Sequence, residues 1–266
     1  MRPWQLAARD PAALPYPAQL WTIGGTGQSN FESVNGNTSH VAGPVTALLG
    51  PNLRLWDPRV QSFVPAGDGG ANFLSPLPPA PTQGPGAGHV VTRLMRLIAD
   101  ASEREVYGIL HGRSSHEMAY FEEDSDQFSQ NADNTFHPTL NNYQYTLQET
   151  RASGRRLGLW IFWQGESDAG DSQATYYAKA APFSAAVWRD YRCPQIWIKP
   201  VSVGAGVRAA QQQLADERPY VYTLDNNDMT GNGTYMADGL HPNAAGYAKV
   251  ADRIFAMLQR TALPGL

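Results

Sequence analysis

Thiol chemistry is nearly absent from this chain, since Cys193 is its single cysteine among 266 residues. One cysteine excludes an internal disulfide and any cysteine-built zinc site. Standing before Pro194 at a helix-to-strand junction, Cys193 reads as a buried structural thiol rather than a nucleophile. Charge is also sparse: only 17% of residues are Asp, Glu, Lys or Arg, and the net charge of -4 comes with no basic run. A nucleic acid partner is therefore not expected, because phosphate backbones are gripped by clustered cations. Long apolar runs are missing too. Stretches such as Leu157 to Trp163 fall far short of the roughly 18 to 20 residues that cross a bilayer, so no membrane partner is expected. Met1 to Pro17 holds two arginines but no continuous apolar core, so it does not read as a signal peptide; the expected setting is cytoplasmic, or secreted with a leader removed.

What the chain does have is a globular composition, 42% hydrophobic, at a length that suits one large domain spanning residues 1–266. Short apolar or β-branched runs alternate with helical patterns, which predicts an α/β fold with a parallel sheet covered on both faces. The strand candidates are Leu20 to Gly24, Leu53 to Trp56, Val106 to Leu110, Leu157 to Phe162, Ile196 to Lys199 and Tyr220 to Leu224. Five of these six are expected to make the central sheet. Helices are predicted over Val90 to Ala101, Tyr143 to Thr150, Ala174 to Tyr191 with an interruption at Pro182, Val207 to Ala215, and Ala244 to Leu258. Pro58 to Gly88, rich in proline and glycine, reads as an ordered surface loop, and polar Phe121 to Asn142 as a second long excursion. Such loops wall the cleft at the carboxyl ends of the strands, where ligands of open α/β sheets bind.

Three segments carry chemistry. The first strand runs into Gly24-Gly25-Thr26-Gly27-Gln28-Ser29-Asn30, a turn that presents a serine at the carboxyl edge of the sheet. Glycines let the chain turn sharply and bring backbone N–H groups close to a ligand. A phosphate-binding turn is disfavoured by the absence of a third glycine in dinucleotide spacing and of a Lys-Ser/Thr pair. A structural turn with a capping serine is the plainer alternative. Asp238-Gly239-Leu240-His241 sets an acid three residues before a histidine, so the carboxylate can receive Nδ1–H and leave Nε2 free to take a proton from a serine. Trp163-Gln164-Gly165-Glu166-Ser167-Asp168 again reaches the carboxyl edge, and the Gln164 amide is a candidate donor to a developing oxyanion.

Taken together, Gly27-Gln28-Ser29-Asn30, Trp163-Gln164-Gly165-Glu166-Ser167-Asp168 and Asp238-Gly239-Leu240-His241 resemble the blocks of the SGNH (GDSL-like) hydrolases, in the sialate O-acetylesterase and acetylxylan esterase branch. Gly84-Pro85-Gly86 looks like that family's glycine block, and Arg208-Ala209-Ala210-Gln211 like its arginine-to-glutamine helix. The resemblance implies a flavodoxin-like three-layer α/β/α sandwich with a central parallel five-stranded sheet. It also implies a serine esterase that removes short acyl groups from carbohydrate esters. Ser29 would be the nucleophile, His241 the base and Asp238 its orienting acid, with the N–H groups of Ser29 and Gly86 and the Gln164 amide as the oxyanion hole. Glu166 is a rival or supplementary partner for the histidine, and Gln28 and Asn30 are supporting residues. No cofactor and no metal is implied. A broader lipolytic esterase or thioesterase, or an inactive carbohydrate-binding module on the same scaffold, are the alternatives.

Other segments read more weakly. His111-Gly112-Arg113-Ser114-Ser115-His116-Glu117 follows a strand and either lines the pocket or mimics a metal cluster, although it lacks HExxH spacing. Asp225-Asn226-Asn227-Asp228 has the carboxylates of a calcium loop without its glycine or terminal glutamate, and reads as a polar turn. Trp56, Tyr120 and Tyr143 are either sugar-stacking or core aromatics.

Overall fold

A computed structural model of the chain describes residues 21–32, 52–58, 60–65, 90–130, 136–201 and 204–260. Its strands, in chain order, are β1 (Thr22–Gly27), β2 (Leu53–Asp57), β3 (Ser62–Pro65), β4 (Val106–Gly112), β5 (Phe128–Gln130), β6 (Phe136–Asn141), β7 (Leu159–Trp163), β8 (Gln195–Ile198) and β9 (Val221–Leu224). Seven of them form one sheet in the order β3-β2-β4-β1-β7-β8-β9, and β5 and β6 form a separate two-stranded sheet. Within the large sheet every pairing is parallel except that of β2 with β3.

The strand count differs from the five expected. All six predicted runs enter the sheet, because each is apolar enough to be buried, and β3 adds an antiparallel edge from within the proline- and glycine-rich Pro58 to Gly88 stretch. In the excursion from Phe121 to Asn142, β5 and β6 pair with each other antiparallel. Gly84 to Gly88 lies outside the described residues.

The helices are α1 (Ser29–Glu32), α2 (Val90–Ser102), α3 (Met118–Phe121), α4 (Asn142–Ala152), α5 (Gln173–Tyr191), α6 (Ala205–Glu217) and α7 (Ala244–Arg260). On one face of the sheet, Val90, Leu94, Met95 and Ile98 of α2 and Tyr247, Val250, Ile254 and Met257 of α7 share a core with Ile23, Leu159, Ile161 and Trp163. On the other, Tyr143 of α4, Tyr176, Phe183 and Val187 of α5, and Val207 and Leu214 of α6 pack on Ile109, Trp160, Phe162 and Trp197. The result is three layers. Alternate residues of β7 serve opposite cores, which is why Leu159 to Trp163 is apolar throughout. Burying each such large side chain contributes roughly 1.5–3 kcal/mol.

Local chemistry sets the helix ends. Asn141 and Gln144 form a reciprocal capping box at the start of α4, and Ser172 caps α5 by accepting from Thr175 N. Pro182 does not interrupt α5, which continues to Tyr191. Pro182 is exposed, and so is Ala178, the residue whose carbonyl it leaves without an amide partner.

β1 sits at the middle of the sheet, between β4 and β7. Connections reach β2 on one side of it and β7 on the other, and at such a reversal the carboxyl ends of the strands open a crevice. Close packing there depends on glycine. A Cβ on Gly25 would lie 2.5 Å from Ile161 O and 2.9 Å from the Phe31 ring. Gly25→Ala is expected to lower the unfolding free energy by roughly 1–3 kcal/mol through overpacking, seen as a lower urea midpoint at unchanged slope.

Candidate active site

β1 delivers Ser29 to the carboxyl edge. Gly27 allows this because a Cβ there would stand 2.2 Å from Trp163 O, so only glycine lets the turn press against β7. Gln28 N then donates to Trp163 O at 3.0 Å, and Ser29 opens α1 with its side chain nearly covered. On the opposite side of the crevice, the 236–242 loop is pinched shut by a bridge between Met236 and Pro242 and by Ala237 N donating to His241 O at 2.9 Å. It projects His241 toward the serine. Ser29 Oγ and His241 Nε2 lie 3.0 Å apart, and His241 Nδ1 lies 2.9 Å from Asp238 Oδ2.

Asp238 is held by its own loop. Its Oδ1 accepts from the backbone N–H groups of Leu240 and His241, both at 2.7 Å, which leaves Oδ2 for the imidazole. Its partial burial opposes ionisation, but the donors from His241 and Leu240 outweigh this and push the carboxyl down to about 2. Its side chain is half exposed while that of His241 is mostly covered. Asp238 is thus a fixed anion at neutral pH, placed at the imidazole's outer edge.

Glu166 lies in the opposite environment. Burial pushes its carboxyl above the usual glutamate range, against hydrogen bonds from Asn30 Nδ2 at 2.6 Å and Trp163 Nε1 at 3.2 Å that favour the anion. Both donate to Oε1. Oε2 is buried with no hydrogen-bond partner. The geometry therefore gives the Nδ1 contact to Asp238, and Glu166 joins the site through Asn30. That asparagine also donates to Leu240 O at 3.3 Å and accepts from Tyr247 OH at 3.3 Å. Gln28 Oε1 faces Gly165 N and Ser167 N, at 3.5 and 3.4 Å, and ties the serine turn to the Glu166 loop.

Gln164 is a correction. Instead of pointing an amide at Ser29, it is buried and spent: Nε2 donates to His116 O and to Asp168 Oδ2, and Oε1 accepts from Tyr176 OH at 2.7 Å. Asp168 in turn accepts from Met118 N and from Lys179 Nζ. With both amide hydrogens committed inside the protein, none remains for an oxyanion. Gly86 lies outside the described residues.

The weaker readings resolve into structure. His111 is buried, with Nδ1 3.0 Å from Thr146 Oγ1 and its ring edge-on to Tyr145. His116 packs edge-on against Tyr120. Among the described residues no group of His, Cys, Asp or Glu has the arrangement to hold a metal ion. The carboxylates of 225–228 are claimed by cations, Asp225 by Arg208 and Asp228 by Lys249 and Arg253. Trp56, Tyr120 and Tyr143 are core residues, with Trp56 Nε1 donating to Glu149 and Tyr143 OH to Asp190. Cys193 is buried, and burial pushes its thiol up, away from reactivity. Arg208 and Gln211 brace the site from α6: Arg208 donates to Pro200 O, and Gln211 Nε2 to Gln164 O at 2.9 Å. No helix among the described residues is long and apolar enough to cross a membrane. Tyr247 and Tyr176 escaped sequence reasoning, since an aromatic on an amphipathic helix carries no local sign of a polar partner elsewhere in the chain.

No protein-family model matches the sequence, and no curated protein matches it. Solved structures do match. A protein from Arabidopsis thaliana superposes with a TM-score of 0.66 at 13% identity, over 92% of this chain and 99% of its own. A carbohydrate acetylesterase from Xanthomonas citri gives 0.58 at 14% identity, over 91% of this chain; the chain spans 56% of that protein's length. The protein NanS gives 0.57 at 12% identity, over 91% of this chain and 98% of its own. The chain shares the fold of these three proteins. In this fold the carboxyl end of β1 and the loop before α7 face each other, and Ser29 and His241 stand at those two positions.

Two variants separate the buried groups. Gln164→Ala leaves the Tyr176 hydroxyl, His116 O and Asp168 short of a partner and is expected to lower stability by roughly 1–3 kcal/mol for each group left unpaired, measured by urea denaturation. Glu166→Gln addresses pH. Because the folded-state pKa of Glu166 is raised, the native protein holds a proton that the unfolded chain releases, so wild-type stability declines as pH climbs from the ordinary glutamate range to the raised value. The variant lacks this decline. Its stability relative to wild type should rise as pH climbs above the ordinary glutamate range, and a pH-independent difference would contradict the assignment.

Proposed function

We propose that this chain is a serine esterase that removes acetyl groups from carbohydrate esters through an acyl-enzyme, with Ser29 as nucleophile, His241 as general base and Asp238 as its orienting acid. The observation that carries the reading is the continuous line from Ser29 Oγ through the imidazole to Asp238, at 3.0 and 2.9 Å, between groups 212 residues apart. A buried hydroxyl, an imidazole and a carboxylate in that order are what proton transfer out of a serine requires. The carbohydrate acetylesterase among the structural neighbours supports the substrate class.

In the first step Ser29 Oγ attacks the ester carbonyl while its proton passes to His241 Nε2. Charge then develops on the carbonyl oxygen, and the Ser29 backbone N–H at the start of α1 is a donor to it. The Gln164 amide has no part in this step. Collapse of the intermediate expels the sugar alkoxide, which takes the proton from Nε2. Water, deprotonated by the same nitrogen, then releases acetate and restores the serine. Asp238 remains ionised throughout, holding Nδ1–H and stabilising the imidazolium.

Ser29→Ala should reduce kcat on 4-nitrophenyl acetate and acetylated xylan by at least about a thousandfold, and Asp238→Ala by about 10²–10⁴-fold, with circular dichroism unchanged in both. Normal turnover by Ser29→Ala would end the proposal. The acyl-length profile should favour acetyl over butyryl and octanoyl esters, and a reversed order would move the assignment to a lipolytic esterase.

A further inference from the structure

The segment that follows β4 crosses the carboxyl end of β1, the strand that delivers Ser29. Arg113 N donates to Gly27 O at 2.7 Å, which carries the β4 to β1 pairing one residue past Gly112. Further along, His116 O accepts from the Gln164 amide at 3.2 Å, just beyond the end of β7, and Met118 N donates to Asp168 Oδ2 at 2.8 Å. Because β7 lies on the other side of β1 from β4, the segment spans the turn that holds the serine. It runs into α3, whose Met118, Tyr120 and Phe121 belong to the core on the α5 face, whereas the loop carrying His241 leads into α7 on the opposite face. Ser29 therefore has a histidine-bearing loop on each side.

The His116 ring is fixed as firmly as its backbone. It packs edge-on against Tyr120 with centroids 3.9 Å apart, and one ring N–H is drawn to the Ser115 carbonyl. Ser115 itself has a φ of 62°, a left-handed conformation that is costly for a residue with a β-carbon. Strain of this kind persists where surrounding contacts over-determine it, and it clusters at ligand clamps. Burial lowers the imidazole below its usual value by more than the Ser115 carbonyl offsets, with help from the charge of Arg113, so the ring is neutral near pH 7. A neutral imidazole with its one N–H committed has an acceptor on the other nitrogen. No donor among the described residues meets that nitrogen, and the residue is half-buried rather than enclosed.

We propose that His116 is a specificity residue that accepts a hydrogen bond from a free hydroxyl next to the acetylated position of the sugar. The inference rests on the esterase reading and narrows its substrate to a partially acetylated sugar. The acetyl half of the ester has no hydrogen-bond donor, so an acceptor beside the serine can serve only the alcohol half. A second acetyl group at the neighbouring position would set oxygen lone pairs against the nitrogen's own, whereas a hydroxyl donates to it. A site built to bond a substrate hydroxyl rejects the analogue that lacks one, because its own polar group is then left unpaired. A fully acetylated sugar would need prior deacetylation at the neighbouring position.

The test compares methyl 2-O-acetyl-xylopyranoside, whose C3 hydroxyl is the only one next to the ester, with its 3-deoxy counterpart. Wild type should hydrolyse the hydroxyl-bearing ester with kcat/KM about tenfold above the deoxy ester. His116→Phe, which keeps a ring against Tyr120 but has no nitrogen, should bring the ratio close to one. His116→Gln, which restores an acceptor oxygen, should retain part of the preference, and both variants should keep the wild-type circular dichroism. A merely structural role for His116 would slow both esters alike and leave the ratio as it is in wild type. A wild-type ratio at or below one, or a ratio that His116→Phe leaves intact, overturns the role of His116 while the esterase reading stands. Hydrolysis of neither ester, nor of 4-nitrophenyl acetate, overturns the esterase reading and this inference with it.

Discussion

Asn30 is fully buried, and its side chain meets three parts of the chain at once: the Glu166 carboxylate, the Leu240 carbonyl and the Tyr247 hydroxyl. It sits one residue beyond Ser29, so the nucleophile's turn is joined directly to the loop that carries His241 and to the loop after β7. In an interior of low dielectric, a polar group with unmet bonds is expensive, and an asparagine whose amide hydrogens and oxygen are all engaged is held in a single arrangement. The 3.0 Å approach of Ser29 to His241 is set by that joint as much as by the two residues themselves.

Two carboxylates border this site, and their surroundings send them in opposite directions. Asp238, half exposed and surrounded by N–H donors, is kept ionised. Glu166, buried with one oxygen unpartnered, is pushed toward its protonated form. Only the first is placed to receive Nδ1–H, and its charge stands where an imidazolium would need one. The second acts on the framework, through Asn30 and Trp163. Gln164 illustrates the same division: a residue beside the site whose hydrogen bonds all run inward, to the Asp168 and Tyr176 layer beneath.

Much of the fold was legible because the two cores impose distinct periods. Leu159 to Trp163 is apolar at every position since both sheet faces are covered, and α2 and α7 show a clean apolar stripe since each covers only one. The β3 strand was not legible. It owes its place to pairing with β2 at an edge, and Ser62–Pro65 has no pattern of its own that separates it from the proline- and glycine-rich sequence around it. The strand ends drifted for a related reason: β1 runs on through Gly25, Thr26 and Gly27, residues that read as a turn until neighbouring strands pair with them on both sides.

Sequence alone determined the residue types at the site, the three-residue spacing that lets Asp238 reach His241 within one loop, and the alternation that makes a covered parallel sheet. Those are local properties, governed by backbone reach and hydrophobic period. Tertiary structure decided which hydrogen bonds are taken. That Gln164 is spent internally and that Glu166 is held by Asn30 instead of by the histidine both follow from partners tens to hundreds of residues away. Satisfying buried polar groups is a problem solved over the whole fold, and no local window of sequence contains its solution.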